Sequence, residues 1–350
     1  MKNVLITGAS GWLGINLINT FLKGIDLYPE TKNLMENKSI NVFIPKAEHQ
    51  TLFNLFGDKI RYYYGDITKK EDCKNFLSNF DSGTIFHLAG IIHPKKISDL
   101  YKVNFQGTKN ICDNAIERGL EKIIVLSSNS PFGINKDKNT PFNHNSKYDP
   151  YLNYGKSKML MEEYIKEVDR KKLIHTVLVR AMWFYGPYQP DRQNLFFKMI
   201  NTGKVPVVGK GNNLRSMSNT ENLSYGLILA YLKEQANGKA YWIADKRPYT
   251  QLEIINTIRK ILLEEFSIKS KNRNILLPSF LSNLAYLTDN IIQKIGLYNS
   301  KVHVLSELNK NIFCSIDQTE KDLGYDPKID LELGLKRNFK WMKENNKLEF

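Results

Sequence analysis

Tyr154 and Lys158 stand four residues apart in Tyr154-Gly155-Lys156-Ser157-Lys158. On a helix, positions i and i+4 share a face, so both side chains would address one ligand. A free phenol titrates near pH ~10, and exchanging its proton at neutral pH requires about 4 kcal/mol of help to the phenolate. A neighbouring ammonium supplies such help, so the pair suits acid–base work on a hydroxyl or keto group. The spacing alone is weak in a Lys-rich chain with 18 tyrosines, and Tyr28 and Lys32 repeat it with Pro29 in between. Position distinguishes Tyr154, which opens a helical stretch after an apolar strand. That strand ends in Ser127-Ser128-Asn129-Ser130-Pro131-Phe132-Gly133. A serine hydroxyl there can donate to and accept from a reacting oxygen, although turn chemistry is the ordinary use of any one of them.

A second chemical signal lies at the start of the chain. The apolar residues 4–6 run into Thr7-Gly8-Ala9-Ser10-Gly11-Trp12-Leu13-Gly14, and a helical pattern follows. Glycines allow a tight turn and a close backbone approach, and the helix N-terminus attracts a pyrophosphate. The spacing is Gly-x-x-Gly-x-x-Gly rather than Gly-x-Gly-x-x-Gly. Its place at the first strand–helix junction is what points to dinucleotide binding.

These groups need elements to hold them. Apolar strands are predicted at 4–6, 40–44, 60–64, 85–88, 123–126 and 176–179, with helices at 12–22, 100–118 and 154–168. Such alternation predicts an α/β fold: a Rossmann-like, doubly wound parallel sheet with helices on both faces. After Arg180 the pattern changes. Helices are predicted near 195–202, 223–232, 251–265, 280–295 and 331–344, with strands at 205–208 and 240–243. We expect residues 1–180 to form the NAD(P)-binding domain, with return segments near 220–245. Residues 181–350 would form a smaller, mixed α/β substrate-binding region.

From the glycine turn onward the chain resembles the extended short-chain dehydrogenase/reductase family, of the NAD-dependent epimerase/dehydratase type. Gly65-Asp66-Ile67, His87-Leu88-Ala89-Gly90, Val103-Asn104 with Gly107-Thr108, and Leu323-Gly324-Tyr325-Asp326-Pro327 follow the family's order. The resemblance implies a cofactor site built from Gly8, Ser10, Gly11, Trp12, Leu13, Gly14, Asp66, Ile67, Leu88, Ala89, Gly90, Asn104, Tyr154 and Lys158. It implies Tyr154 as catalytic acid/base, Lys158 on the nicotinamide ribose, and Ser128, five residues before Gly133, on the reacting oxygen. His87 is expected to be a buried structural histidine. NAD versus NADP stays open: the second strand ends Ile44-Pro45-Lys46 without an acid for the ribose, and Lys46 suits either a 2′-phosphate or solvent. A homodimer through 100–118 and 154–168 is also implied.

On the substrate side, the family's dehydratases carry Asp-Glu where this chain has Asn129-Ser130, which disfavours 4,6-dehydration. Asn129 and Ser130 are expected to line the substrate pocket. Trp183 replaces an Asn that usually binds a sugar-nucleotide diphosphate, and could stack on a base or line an apolar pocket. Arg215 aligns with the family's pyrophosphate-binding Arg, and its fork suits a diphosphate. Glu221-Asn222-Leu223 and the segment after Pro278 resemble the 3β-hydroxysteroid dehydrogenase-like branch. Phe280, Leu281, Leu284, Leu287, Ile291, Ile292 and Ile295 mark an amphipathic helix ending at Gly296. Such helices ordinarily pack their apolar face on a core; in that branch the region can cover a lipid-like substrate or touch a membrane.

The 350 residues include 50 basic and 36 acidic ones, a net charge of +14. The basic residues are scattered, and no nucleic-acid motif accompanies them. No apolar run approaches the ~18 residues of a membrane span. The N-terminus lacks signal-peptide features. The cysteines 73, 112 and 314 suit neither a disulfide framework nor a CxxC zinc pair, so no metal and a cytoplasmic setting are expected. The function expected first is Tyr-assisted hydride transfer on a hydroxyl or keto group of a nucleotide sugar. The alternatives are the same chemistry on a sterol- or isoprenoid-like alcohol, or NAD(P) sensing without turnover.

Overall fold

A computed structural model describes residues 2–348. Seven strands form one sheet in the spatial order Lys239–Ile243, His175–Ala181, Lys122–Ser128, Thr84–His87, Lys2–Thr7, Lys38–Ile44, Arg61–Tyr64. Every neighbouring pair is parallel. The first strand pairs with both Lys38–Ile44 and Thr84–His87, so the winding direction reverses beside it. Ligands of open α/β sheets bind in the crevice at such a reversal.

The inner strands are buried on both faces, as their continuous apolar runs require, while the edge strand Arg61–Tyr64 is partly exposed. Val4 and Ile6 join the core that holds Leu17, Ile18 and Phe21 of helix Trp12–Lys23 and Leu223 and Leu227 of helix Thr220–Leu232. Leu5 joins the opposite core, with Phe76, Ile111, Met161 and Ile165 of the helices Lys70–Leu77, Thr108–Glu117 and Leu152–Arg170. Full burial of each such side chain is worth roughly 1.5–3 kcal/mol, which fixes the strand register. The chain returns to this sheet at Lys239–Ile243, beyond His175–Ala181. A third apolar cluster joins the helices Asn194–Asn201, Gln251–Phe266 and Leu331–Glu344 around Ile200, Ile255, Ile258 and Phe339.

Two features depart from the sequence reading. The helix expected over 100–118 is three pieces: Ile97–Leu100, a π-helical turn Tyr101–Gly107, and Thr108–Glu117. Such turns recur at functional sites because they re-aim a side chain, and here the side chain is Asn104. The helix Ser279–Lys294 buries Ser282, Ala285, Asp289 and Gln293 and leaves its apolar row in solvent, so packing on a core is not what that row does. Among the described residues, no helix is long and apolar enough to cross a membrane.

Candidate active site

The first turn is shaped for a backbone approach. Gly8 has φ +71°, and a Cβ there would lie 2.6 Å from the Ala89 nitrogen. A Cβ on Gly14 would lie 2.3 Å from the Gly8 carbonyl oxygen. Only glycine permits this wrap of the loop over the end of Thr84–His87. Gly11 caps helix Trp12–Lys23 without a side-chain hydrogen bond, which leaves the first-turn N–H groups for an anion. Leu13 is buried in the core below, and the Trp12 indole N–H donates to the Pro187 carbonyl at 2.8 Å. The cradle fits a dinucleotide pyrophosphate.

Around this turn, Thr7 and His87 tie the first and fourth strand ends together. His87 Nδ1 lies 2.7 Å from Thr7 Oγ1 and its Nε2 2.9 Å from Thr108 Oγ1. Burial, aided by the Lys158 charge, lowers the imidazole to about 3, so it is neutral and structural. Leu88 is buried at the end of the fourth strand, and Ala89 N–H faces Thr7 Oγ1 at 3.4 Å. Asp66 is exposed and accepts from Thr68 N–H at 2.8 Å, while Ile67 packs where a Gly107 Cβ would be. Asn104 is fully buried. Its carbonyl oxygen accepts from Ile91 N–H at 2.8 Å, and its amide donates to the Ile91 carbonyl and to Ser157 Oγ. Both ends of Asn104 are thus spent on clamping the Gly90–Ile91 loop to the helix Leu152–Arg170.

The helix Leu152–Arg170 is seated by the strand end it follows. Tyr151 N–H donates to the Ser130 carbonyl at 2.9 Å. Gly155 passes so close to that carbonyl that a Cβ would lie 2.4 Å from it. This contact brings Ser128 to the Tyr154 phenol. Burial pushes the phenol up to about 12; the Ser128 hydroxyl hydrogen bond opposes the shift and the Glu307 charge adds to it. Lys158, four residues on and almost wholly buried, donates to the Leu126 carbonyl at 2.8 Å. Its Nζ would sit 3.5 Å from a Cβ on Gly90. Burial lowers its ammonium to about 8, against the pull of Glu162. Asn129 and Ser130 are buried beside Ser128, and Ser130 N–H faces Ser128 Oγ at 3.3 Å.

Arg215 and Trp183 meet on the far wall. The guanidinium stacks on the indole, 4.1 Å from the ring centroid. Arg215 is only 3% exposed; Nη2 donates to the Glu307 carbonyl, and Nη1 is buried with no hydrogen-bond partner among the described residues. Burial lowers the guanidinium to about 10, with Glu307 opposing. A buried, unpaired donor of this kind suits an anionic ligand.

Several residues here carry no sequence motif. Glu307 acts electrostatically on both Tyr154 and Arg215, and comes from helix Ser300–Glu307, far along the chain from helix Leu152–Arg170. The imidazole of His303, also on that helix, lies 2.7 Å from Asp289 and 3.8 Å from Glu307. Burial opposes its protonation, but the Asp289 hydrogen bond and the Glu307 charge outweigh burial and raise it. Gln293 accepts from the Asn153 side-chain amide at 3.0 Å, next to Tyr154. At the other end, Ser10 Oγ donates to Glu48. An acid does therefore follow the second strand, two residues past the exposed Lys46, and the turn Lys46–Glu48 swings it over the glycine loop.

The family model described as 3-beta hydroxysteroid dehydrogenase/isomerase family matches residues 5–278. The chain is 41% identical over 345 residues to the uncharacterized protein y4nL of Sinorhizobium fredii (strain NBRC 101917 / NGR234), covering 98% of this chain and 95% of that one. It is 27% identical to the N-acetyl-alpha-D-glucosaminyl-diphospho-ditrans,octacis-undecaprenol 4-epimerase of Escherichia coli O157:H7, covering 97% and 95%. The crystal structure of DesIV, a dTDP-glucose 4,6-dehydratase from Streptomyces venezuelae with NAD and TYD bound, superposes with TM-score 0.75 at 20% identity, covering 98% of each chain.

Proposed function

The chain belongs to the 3-beta hydroxysteroid dehydrogenase/isomerase family, within the extended short-chain dehydrogenases/reductases, and on that footing we propose the reaction and substrate of this NAD(P)-dependent oxidoreductase or epimerase. The substrate is a secondary alcohol, or its ketone, attached to an anionic group. The observation that carries this is the pairing of Ser128, Tyr154 and Lys158 with the buried, half-unpaired Arg215.

When bound on the glycine turn, the dinucleotide supplies the hydride acceptor. The chain's own groups do the rest. Ser128 holds the substrate oxygen, and Tyr154 takes the hydroxyl proton as its phenolate, becoming the phenol, or returns that proton in the reverse direction. Lys158 keeps a positive charge behind the phenol and binds the ribose. Arg215, braced on Trp183, holds the anionic group by charge-assisted hydrogen bonds. Asn129 and Ser130 present no carboxyl group for water elimination, so a 4,6-dehydratase is not our reading. Glu48, after the second strand and beside the loop that cradles the pyrophosphate, favours ribose hydroxyls over a 2′-phosphate; we read the working cofactor as NAD. A homodimer contact falls on the outer faces of the helices Thr108–Glu117 and Leu152–Arg170. The three cysteines are free and buried, which suits a reducing cytoplasm.

The first substrate class is a nucleotide-linked sugar, whose diphosphate meets Arg215. A second, sterol- or isoprenoid-like alcohols and their diphospho-sugars, is favoured by Trp183 in the pocket wall and by the undecaprenol-linked substrate of the E. coli relative. A panel of UDP-, GDP- and dTDP-sugars, one polyprenyl diphospho-sugar and one sterol, followed by nicotinamide absorbance and product chromatography, decides between them. Turnover of a soluble nucleotide sugar upholds the first class. Turnover of the lipid members alone upholds the second. Dinucleotide binding with no turnover across the panel contradicts both and leaves a sensing protein.

A further inference from the structure

Glu307 is the last residue of the helix Ser300–Glu307, and its side chain is only 12% exposed. Its carboxylate nevertheless accepts no hydrogen bond from any described residue. His303 Nε2, 3.8 Å from Oε1, is an ionic contact beyond hydrogen-bond reach. The imidazole is kept from closing that gap, because its Nδ1 is held 2.7 Å from Asp289 Oδ2. Asp289 is held in turn by Gln293, whose amide donates to Oδ1 at 3.0 Å and whose carbonyl oxygen accepts from the Asn153 amide. This chain of bonds runs to the residue before Tyr154 and fixes the imidazole where it stands.

The other polar groups around Glu307 are also committed elsewhere. Ser306 Oγ donates to the His303 carbonyl at 2.7 Å, so the Tyr151 phenol, 2.8 Å away, donates to Ser306. The Tyr298 phenol meets His93 Nδ1 at 2.7 Å. Arg215 Nη2 donates to the backbone carbonyl of Glu307 rather than to its carboxylate, and the guanidinium is braced on Trp183. Arg215 Nη1 is buried without a partner among the described residues. An unspent acceptor and an unspent donor therefore stand side by side in the wall that faces Tyr154.

A carboxylate covered by an apolar ligand loses its water and gains no donor in exchange. A hydrocarbon ring brought to Tyr154 would impose that loss on Glu307. A ring with further hydroxyls would supply the missing donor while its anionic group meets Arg215.

We propose that Glu307 is a specificity-determining residue: it accepts a hydrogen bond from a second hydroxyl of the ring that carries the reacting alcohol, and so selects a sugar-like ring over a hydrocarbon one. The inference rests on the alcohol site of Ser128, Tyr154 and Lys158 and deepens the first substrate class.

The test reads binding alone, on the full chain loaded with NADH, which cannot oxidise an alcohol. Saturation-transfer NMR titrations compare methyl glucoside with cyclohexanol, in the wild type and in Glu307→Gln. The wild type should bind the glucoside at least about tenfold more tightly than cyclohexanol, as a hydrogen bond to a charged acceptor implies. Glu307→Gln should cut that preference about tenfold while melting temperature and NADH affinity hold. A wild type that binds cyclohexanol as tightly as the glucoside overturns the proposal, whether or not the variant folds. A folded variant with the preference intact overturns it too. In both cases the chain still binds NADH and the proposed reaction stands; a chain that binds no NADH overturns the reaction and this proposal together.

Discussion

Glu162 lies one helical turn beyond Lys158 and is gripped by Arg180, with Nε to Oε1 at 3.0 Å and Nη2 to Oε2 at 2.7 Å. Both side chains are buried, and Tyr148 donates to the same carboxylate at 2.7 Å. Arg180 also lies over the Phe132 ring at 4.4 Å, so it belongs to the core rather than the pocket. The pair anchors the helix Leu152–Arg170 to strand His175–Ala181 and gives Lys158 its supporting negative charge. Glu162→Gln leaves the Arg180 charge buried without its counter-ion, and should cost about 3–5 kcal/mol in chemical denaturation. Burial would raise the Glu162 carboxyl, but Arg180 outweighs it and the net shift is downward. Its stabilising share is therefore present above the ordinary carboxylate value and lost as pH falls below that value through the lowered folded one. An acid-unfolding profile unchanged by Glu162→Gln would count against this role.

Lys158 gives a pH signature. Its ordinary value of 10.5 drops to about 8 on folding. The unfolded chain therefore holds this proton above pH 8 where the native chain does not, and the lysine's burial penalty is relieved as pH rises from about 8 toward 10.5. The functional consequence runs the other way, because the ammonium is the useful form. Dinucleotide affinity of the free protein, measured by fluorescence quenching, should fall as pH rises through about 8. Lys158→Met should be weak and flat over the same range.

Tyr154→Phe removes the proton-bearing oxygen and little volume. Turnover should fall by about 10²–10⁴-fold, with dinucleotide affinity within about threefold of wild type. Ser128→Ala should cost less, since one neutral hydrogen bond is worth roughly 0.5–1.5 kcal/mol. Initial rates on the first substrate identified, together with binding isotherms, check both.

Arg215→Lys keeps a charge but loses the fork and the stack on Trp183. KM for an anionic substrate should rise about 10–100-fold, as expected for a charged hydrogen bond worth about 1.5–3 kcal/mol. An uncharged analogue of the same alcohol should be affected far less. Equal effects on both would show that Arg215 does not meet the anion.

Glu48→Gln removes the charge over the glycine loop. The wild type should bind NADH more tightly than NADPH, and the variant should narrow that gap about tenfold through its gain for NADPH, as calorimetry would show. A wild type that prefers NADPH would reverse the reading and return Lys46 to the 2′-phosphate.

What could be read in the sequence was what local chemistry constrains. The Gly8–Gly14 turn, the strands and the Tyr154–Lys158 helix follow from spacing and apolar runs. The strand–helix succession also brings Ser128 beside Tyr154. Other features depended on contacts that no local pattern records. Spacing showed that Ser279–Lys294 is amphipathic, but only the bonds of Asp289 to His303 and Gln293 to Asn153 decide which face turns inward. Glu48 was hidden because Pro45 and Lys46 occupy the strand end and a short turn carries the acid back to Ser10. Glu307 reaches the site from a helix whose sequence carries no catalytic pattern.

The central claim is that a phenol, an ammonium and a hydroxyl meet at the reacting end of the dinucleotide. A crystal structure of the chain with NAD bound tests it most directly. It should show the pyrophosphate on Gly8–Gly14, the nicotinamide ribose bonded by Lys158, and the nicotinamide C4 facing the Tyr154 and Ser128 oxygens. A nicotinamide lying away from these oxygens, with Lys158 still bonded only to the Leu126 carbonyl, would contradict it.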